Sequence, residues 1–404
     1  MRVLLITHRP PFPPDKGDRI RGWQWLIAVA GRCEVDLLTV SDGPLPSETR
    51  LALEDLAANV HVHRAAWPRM VAGLAGGTSL TEARFDAAGL RRRVEGLCRR
   101  RGYDACIAVC SSAAAGLLDL PCRPRTVVDL VDIDSVKWAR FAAFRRGPLR
   151  WLYARESRLI GGLERRVARC ADVLVTISEP ERELLARLTG RRSVAIPNGF
   201  AVADEPPADR EAVEPRLVFV GQMDYLPNVD AVEWFARRVW PSLQGRRPAL
   251  RWAIVGRQPV RRVRRLARLP NVTVTGQVAD VKPYLASGIA IAPIRLACGL
   301  QNKILEAVAA GRPTVVSRES ARALALEPQR DLLVADRPEE WLAAIGLLLD
   351  DPRLARRIGE SGRETVCRRY DPARTLEAML GCVDRDDDFA AFARFESMTC
   401  PGST

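Results

Sequence analysis

Residues 293–317 read PIRLACGLQNKILEAVAAGRPTVVS, and this stretch decides the fold that the sequence predicts. It overlaps an apolar run at 289–294, which is typical of a buried strand. A compact helix is predicted over 300–310, with Gly311 in the position just after its last turn. A second apolar strand follows at 314–316. Strand, loop, helix and strand form the unit from which parallel sheets are built.

One face of the predicted helix carries polar side chains suited to a nucleotide. Asn302, Lys303 and Glu306 lie on that face, and Gly299 before the helix lets a ligand approach the backbone. The free N–H groups of a first helical turn favour an anion, and Lys303 adds a charge against phosphate. Glu306 can accept two hydrogen bonds from a sugar diol. The alternative is an ordinary surface helix whose Lys–Glu contact is solvated.

Length and composition indicate a soluble globular protein of two domains. The 404 residues are 47% hydrophobic and 27% charged, and they exceed a single comfortable core. The net charge of +13 comes mostly from arginine, and charge alone does not choose among lipid, nucleic acid and phosphorylated partners. The ten cysteines show no Cys-x-x-Cys spacing, which indicates a reducing compartment. Without a signal peptide or a membrane span in the sequence, we expect a cytoplasmic protein.

The order of predicted elements indicates an α/β fold of two doubly wound, Rossmann-like domains. The first domain covers residues 1–200 and the second covers residues 216–370. A linker rich in Pro, Asp and Glu separates them at 201–215. Residues 371–404 are expected to form a helix that crosses back to the first domain, followed by a tail.

Two loops of the first domain lie where such folds bind ligands, at the carboxyl ends of strands. The first is a proline-rich loop that runs from the strand at 2–8 into Gly17, Asp18 and Arg19; the alternative is that Asp18 caps the next helix and Arg19 is exposed. The second follows a strand at 125–132. Asp132 and Asp134 point the same way there, the alternative being a helix cap before Ser135.

The stretch ILEAVAAGRPTVVS resembles the donor-binding signature of the GT-B glycosyltransferases of family four. The QNK run before it, and VDIDSVKW farther upstream, are similar to the sugar transferases associated with exosortase (PEP-CTERM) systems. This resemblance implies two Rossmann-like domains that face each other across a cleft. It also implies transfer of a sugar from a nucleotide diphosphate sugar to an acceptor hydroxyl in exopolysaccharide biosynthesis. The expected reaction is retaining and uses no metal or other cofactor.

The resemblance assigns roles to residues of the second domain. Glu306 would hold the ribose of the donor. The helix tip at Gly299, with Lys303 and Arg257, would stabilise the departing diphosphate, because the loop after Gly221 lacks the basic residues usual in the family. The residues that we expect to bind the donor are Gly17, Asp18, Arg19, Gly221, Arg257, Gly299, Gln301, Asn302, Lys303 and Glu306.

On the acceptor side the resemblance leaves Asp132 or Asp134 to orient or deprotonate a glycan or lipid-linked acceptor. Family-four enzymes commonly carry a catalytic His in this region, whereas this chain offers carboxylates. A metal-binding Asp-x-Asp of the single-domain GT-A enzymes is excluded by the separate donor signature. Cys298 stands where the wider family has a second Glu against the donor sugar, so the sequence does not identify that sugar.

The sequence supports other classes of function less well. A nucleotide-sugar epimerase would need acid–base groups converging on the sugar, and a non-catalytic nucleic-acid-binding protein would show a basic groove with exposed aromatic residues or a known module. His61 and His63 lie on one face of a strand but lack a third metal ligand nearby, which favours a structural role. The basic helical region at 145–170 is either a domain helix with an Arg-rich face or a contact with an anionic membrane.

Overall fold

The computed structural model describes residues 1–65, 77–121, 124–202, 216–285, 288–296 and 299–384. The chain divides into two compact units. Unit 1 is formed by Met1–Gly199 together with the chain from Pro372 onward, and unit 2 is formed by Phe200–Asp371. Most of the linker predicted at 201–215, and the tail after Asp384, lie outside the described residues.

In the described part of unit 1, seven parallel strands form one sheet in the order β3-β2-β1-β4-β5-β6-β7. The order reverses between β1 and β4, which makes this pair the topological switch point. The strands are β1 (Arg2–Thr7), β2 (Glu34–Ser41), β3 (Asn59–Arg64), β4 (Ala105–Val109), β5 (Arg125–Val131), β6 (Val173–Thr176) and β7 (Val194–Ala195).

The helices of unit 1 cover a sheet whose central strands are almost entirely apolar, as expected for strands buried on both faces. They are α1 (Gly17–Ala30), α2 (Ser47–Glu54), α3 (Leu80–Arg84), α4 (Ala87–Arg101), α5 (Ser111–Ala114), α6 (Asp134–Phe144), α7 (Pro148–Cys170) and α8 (Glu179–Thr189), with a 3-10 turn at Ala115–Leu117. The helix after Asp371, described below as α17, also belongs to this unit and packs against α1.

Unit 2 contains a six-stranded parallel sheet in its described part, with the order β10-β9-β8-β11-β12-β13. Its switch point lies between β8 and β11. The strands are β8 (Arg216–Val220), β9 (Arg251–Val255), β10 (Val272–Gly276), β11 (Ile289–Ala292), β12 (Thr314–Val316) and β13 (Leu333–Val334).

Helices alternate with these strands, as crossover connections between parallel strands require. They are α9 (Leu226–Arg238), α10 (Trp240–Arg246), α11 (Arg261–Arg264), α12 (Lys282–Leu285), α13 (Asn302–Ala309), α14 (Arg318–Ala321), α15 (Pro338–Asp350) and α16 (Pro352–Arg369), with a 3-10 turn at Arg265–Arg268; α17 (Pro372–Gly381) follows in unit 1. None of the helices in the described ranges has the length and apolar character needed to traverse a bilayer.

The stretch at 293–317 forms the predicted unit with shorter elements. The strand ends at Ala292 instead of 294, and the helix α13 covers Asn302–Ala309 instead of 300–310. Gly311 has a φ of 68°, and its N–H donates to Val308 O at 2.9 Å, so a left-handed glycine follows the helix as predicted. The buried side chains of Ile304 and Val308 hold α13 against the sheet.

Candidate active site

One strand away from the switch point of unit 1, the end of β5 is strained in a way that positions the following carboxylates. Val131 has a φ of 61°, a left-handed conformation that a β-branched residue rarely adopts. The Asp129 carboxylate stabilises it by accepting a hydrogen bond from Val131 N at 2.9 Å. Arg21 Nε at 2.5 Å and Trp25 Nε1 at 2.7 Å donate to the other oxygen of Asp129. These buried contacts fix the point at which the chain leaves the sheet.

The strand therefore ends at Val131, one residue before the predicted end at 132. Asp132 lies in the connection, and Asp134 begins α6. The prediction that both aspartates point the same way along one strand does not fit this backbone. A side-chain cap before Ser135 is also absent in this described segment, since Ile133 is the residue before the helix.

Asp132 and Asp134 have opposite electrostatic surroundings. Burial raises the pKa of Asp132 to about 7; nearby Lys137 opposes this, whereas Glu181, Asp134 and Asp18 reinforce it. Burial also acts to raise the pKa of Asp134, but the Lys137 charge, the hydrogen bond from Lys137 Nζ and one from Ser111 Oγ at 2.8 Å bring it below its ordinary value. Near neutral pH, one carboxyl group is thus poised to exchange a proton while its neighbour stays ionised.

Asp18 lies in the first turn of α1 and faces the end of β1. Lys16 is the residue before the helix, so Asp18 is not its cap. Asp18 Oδ2 is 2.9 Å from His8 Nε2 and 3.4 Å from Arg9 Nη1. Burial opposes ionisation of Asp18, but the His8 hydrogen bond and the charges of His8 and Arg9 hold its pKa well below the usual range. Asp18 therefore remains an anion beside the carboxylates that follow β5.

Gly17 and Arg19 flank Asp18 at the start of the same helix. Gly17 is the first residue of α1 and is exposed. Arg19 Nη1 donates to Asp15 Oδ1 at 3.0 Å. Its Nε is buried and has no hydrogen-bond partner among the residues that the structure describes. Arg19 is therefore not the freely exposed side chain of the alternative interpretation.

In unit 2, the loops after β8 and β9 cross at two glycines. Gly221 N donates to Val255 O at 3.0 Å, and a Cβ atom on Gly256, whose φ is 150°, would lie 1.7 Å from Gly221 O. A Cβ atom on Gly221 would lie 2.8 Å from Asn228 Nδ2. Neither position has room for a side chain, so the close crossing of the two loops requires glycine at both.

Asn228 joins this loop to α13. Its Nδ2 donates to Gln222 O at 2.9 Å, and its Oδ1 accepts a hydrogen bond from Lys303 Nζ. The Lys303 ammonium group also lies 5.4 Å from the ring centre of Phe219 on β8. Burial lowers the pKa of Lys303 to about 7, with Glu306 opposing the shift. Burial raises the pKa of Glu306, with Lys303 opposing it.

The other predicted donor-binding residues lie around this pair. Gly299 has a φ of 58°, which favours glycine, and stands before α13; Gln301 immediately precedes the helix and Asn302 begins it. Arg257 follows β9, and its carbonyl accepts from Met223 N at 2.9 Å, which ties the two glycine loops together. Cys298 lies outside the described residues. The structure thus brings Gly221, Lys303 and Glu306 to the switch point of unit 2.

Comparisons with known proteins agree with this geometry. The family described as "Glycosyl transferase 4-like domain" matches residues 24–199, and the family described as "Glycosyl transferases group 1" matches residues 214–351. The chain is a glycosyltransferase. Its fold, two parallel-sheet Rossmann-like units of mixed α/β structure, is shared with GT-B glycosyltransferases of known structure.

Three solved structures illustrate how similar their folds are to that of this glycosyltransferase. Sucrose-phosphate synthase from Thermosynechococcus elongatus is 18% identical, with a TM-score of 0.69, and 94% of this chain and 97% of that chain are covered. HepE from Anabaena in complex with UDP is 15% identical, with a TM-score of 0.65, and 94% of this chain and 98% of that chain are covered. WaaG, a glycosyltransferase involved in lipopolysaccharide biosynthesis, is 16% identical, with a TM-score of 0.66, and 95% of this chain and 100% of that chain are covered. At these identities the likeness concerns the fold.

A curated relative matches a shorter part of the glycosyltransferase. The lipopolysaccharide core biosynthesis glycosyltransferase LpsD of Rhizobium meliloti (strain 1021) is 30% identical over 117 residues. This alignment covers 28% of the present chain and 34% of LpsD. The chain therefore spans about a third of the length of LpsD.

Several residues of the two sites in this glycosyltransferase were not predicted from the sequence. His8 ends the predicted first strand, and its place beside the crevice was the available signal. Lys137 lies within the VDIDSVKW stretch, yet its ion pair with Asp134 requires the helix α6 that brings them one turn apart. Asn228 follows the Gly221 loop, and no sequence pattern indicated that it would contact Lys303 from 75 residues away.

His61 and His63 are the candidate metal ligands in the sequence. Within the described ranges of the glycosyltransferase, no three His, Cys, Asp or Glu side chains are grouped so as to hold a metal ion. His63 Nε2 lies 3.7 Å from Asp86 Oδ2. His61 is half-buried on the same strand, and burial lowers its pKa.

Proposed function

We propose that this glycosyltransferase moves a sugar from a nucleotide diphosphate sugar to the hydroxyl of a glycan or lipid-linked acceptor, with retention of anomeric configuration and without a metal ion. The observation that carries the proposal is the Lys303–Glu306 pair beside Gly221 at the switch point of unit 2. A buried lysine is costly unless a partner or a ligand compensates for its desolvation. A diphosphate supplies that compensation, and the neighbouring carboxylate suits a ribose diol.

The donor would bind with its diphosphate against the first turn of α13. The N–H groups of that turn, the backbone at Gly299 and the Lys303 ammonium group would stabilise the charge that develops on the leaving diphosphate. Arg257, which follows the adjoining strand, would add a further cation. Because these groups supply positive charge themselves, departure of the diphosphate would not require a metal ion. Activity that survives saturating EDTA is the expected result, and loss restored by one divalent cation would contradict it.

Uridine nucleotides are the first donors to test. The Anabaena neighbour was crystallised with UDP, with UDP and glucose, and with UDP-glucose. That protein shares the fold at 15% identity, so its ligands suggest a starting point for this chain. The donor sugar is a separate question, because Cys298 replaces the Glu that the wider family uses against the sugar.

On the acceptor side, we assign proton exchange to Asp132 and charge stabilisation to Asp134. Asp132 has a pKa of about 7, which suits a group that accepts a proton near neutral pH. Asp134 is paired with Lys137 and accepts from Ser111, so it supports an ionised site without exchanging protons itself. Asp18 adds negative charge from the α1 side.

A role in exopolysaccharide biosynthesis, in an exosortase-associated system, is the finer part of the proposal. It rests on the similarity of the QNK and VDIDSVKW stretches to sugar transferases of those systems. The relative LpsD acts in lipopolysaccharide core biosynthesis, which is also assembly of a surface glycan. Transfer to a detergent-solubilised lipid-linked glycan would support this role, and transfer only to soluble acceptors would contradict it.

A tip between α6 and α7 favours peripheral contact with the cytoplasmic face of an anionic membrane. Trp151 is 78% exposed, Leu149 is 46% exposed and Phe144 is 38% exposed. Arg146 and Arg150 are exposed beside them. Aromatic and apolar side chains flanked by arginine suit the interface of an anionic bilayer. Binding to vesicles containing phosphatidylglycerol that is weakened in Trp151→Ser would support this contact; equal binding by both proteins would contradict it.

The donor assignment is tested by thermal stabilisation with UDP, GDP, ADP, TDP and their common sugars. Saturation at a hundred times the dissociation constant should add about 2.7 kcal/mol to the stability of the wild type. Glu306→Ala should lose most of this gain with the preferred nucleotide. Glu360→Ala, an exposed glutamate on α16 of the same unit, should keep it. Stabilisation by none of these ligands, or equal stabilisation of both variants, would exclude the assignment.

A further inference from the structure

A cleft in unit 1 has lining residues that the proposed reaction does not use. It encloses about 470 Å³ at the carboxyl ends of β1, β2 and β3. Clefts of roughly 300–1,000 Å³ are the size that binds small molecules. Its walls come from the β1–α1 loop, from the segment between β2 and α2, and from the end of α3.

The polar lining of the cleft is dominated by cations. Arg9, Lys16 and Arg19 come from the β1–α1 loop and the first turn of α1, and Arg84 comes from the end of α3. Asp42 is the carboxylate among the lining residues. Its side chain is 58% exposed and lies 3.5 Å from Arg84, so solvent screens this ion pair. Among the lining residues, a ligand anion would therefore meet four Lys or Arg side chains and one carboxylate.

Carboxylate side chains hold two of these cations in place. Asp15 lies 3.0 Å from Arg19 Nη1, and Asp18 lies 3.4 Å from Arg9 Nη1. The buried Nε of Arg19 has no hydrogen-bond partner within the described chain. Carboxylates that fix arginines from one side leave their remaining N–H groups to face a ligand, an arrangement that is pre-organised for an anion.

Apolar and aromatic side chains complete much of the lining, Phe12 and Phe85 among them. Phe12 packs on Trp23 with ring centres 5.3 Å apart, and the Arg84 guanidinium lies 5.5 Å from the ring centre of Phe85. Cations supplied by two separate segments of the chain suit a phosphate, whose oxygens point in several directions. A carboxylate presents only two oxygens on one side and would be satisfied by a single arginine.

The cleft also adjoins the carboxylates proposed to act on the acceptor. His8 lines it and contacts Asp18 at 2.9 Å. The charges of Asp18 and His8 in turn act on Asp132 and Asp134, respectively. We propose that the cleft binds a phosphate group of the acceptor and presents the acceptor hydroxyl to Asp132. This inference rests on the proposed function, and it narrows the acceptor to a phosphorylated glycan or a phosphate-linked lipid glycan.

Isothermal titration calorimetry without donor tests the site directly. The probes are glucose 1-phosphate for a soluble source, farnesyl diphosphate in detergent micelles for a lipid source, and glucose as the neutral control. We expect one or both phosphates to bind the wild type and glucose not to bind. The probe that binds more tightly identifies the source of the phosphate.

Lys16→Gln/Arg84→Gln should weaken phosphate binding by at least about tenfold, because each change removes a charge-assisted contact. Arg187→Gln is the matched control, since this arginine lies on α8, is 66% exposed and pairs with Glu183 at 3.5 Å. It removes a charge without touching the cleft and should bind like the wild type. Absence of phosphate binding, equal binding by the double variant, or equal weakening in Arg187→Gln would overturn the proposal.

Competition with UDP separates this proposal from the donor assignment. We expect UDP to bind the double variant as it binds the wild type, and not to displace the phosphate probe. Displacement by UDP would show that the cleft belongs to the donor site and would overturn the inference. Failure of UDP to bind any variant would count against the donor assignment, while the response of the phosphate probe to Lys16→Gln/Arg84→Gln would still decide the cleft.

Discussion

Lys303 is the residue whose burial most directly links structure to ligand binding. Its ammonium group donates a hydrogen bond to Asn228 Oδ1 and lies over the ring of Phe219, and it interacts with the charge of Glu306. With a pKa of about 7, half of the free protein carries a neutral lysine at that pH. The proposed diphosphate would stabilise the charged form, so its binding above this pH would take up a proton.

We therefore expect the affinity for UDP-glucose to fall by about tenfold or more between pH 6.5 and 8.5. UDP-glucose is the suitable ligand because its diphosphate keeps a constant charge over this range. Lys303→Met should bind more weakly and with little dependence on pH. Calorimetric titrations at several pH values measure this difference. A wild-type affinity that is constant over the range would contradict the proposed contact between Lys303 and the diphosphate.

Asp132 should produce an ascending limb in the pH dependence of kcat, because a base must be deprotonated before it accepts a proton. The limb should be centred near pH 7, the pKa of this carboxyl group. Asp132→Asn should remove the limb and lower kcat by about 10²–10⁴. Asp134→Asn should retain the limb and shift it to lower pH, because Asp134 raises the pKa of Asp132. A limb that persists in Asp132→Asn would exclude this role.

Single residues were predictable where their role depends on nearby sequence. Gly311 was expected just after the last turn of α13, and its φ of 68° is the left-handed conformation of that position. The contacts of Asp129 with Arg21 and Val131 were not predictable, because Arg21 is 108 residues away and only the strand order brings it there. The strained end of β5, and with it the direction of Asp132, depends on those contacts.

Among the connections between elements, the loops after β8 and β9 cross closely at the edge of the unit 2 sheet where the donor is proposed to bind. Gly256→Ala should destabilise unit 2 by about 3 kcal/mol or more, because the new Cβ atom collides with a backbone carbonyl that has no room to move. Gly346→Ala on α15 is the control, since a Cβ atom there meets nothing within 4 Å. It should stabilise the protein by up to about 1 kcal/mol. Urea denaturation measures both; equal stability of the two variants would contradict the tight crossing.

The sequence predicted the type of most elements better than their ends. Apolar runs gave the central strands, since a strand buried on both faces has few polar residues, as in β4. The ends are decided by tertiary contacts: Val131 ends β5 because Asp129 holds its N–H, and α1 begins at Gly17 without a side-chain cap. Neither feature has a local pattern.

The chain as a whole leaves unit 1 after Gly199 and returns to it at Pro372. A Cβ atom on Gly199 would lie 2.7 Å from Pro372 Cα, so the outgoing and returning segments pack closely. Helix α17 then packs on α1, with Met379 fully buried, and Arg125 Nε donates to Cys382 O at 3.2 Å. The last described helix therefore completes the core of the first unit.

This return predicts how stability is divided between the units. Met379→Ala should destabilise unit 1 by about 2–5 kcal/mol through the cavity it leaves, and should not affect unit 2. Glu377→Ala, an exposed position on the same helix, should change stability by less than about 0.5 kcal/mol. Calorimetry with and without the preferred nucleotide distinguishes the units, because the ligand raises the transition of the unit that holds Lys303. Met379→Ala should lower the other transition. A change confined to the nucleotide-sensitive transition would mean that α17 stabilises unit 2 instead.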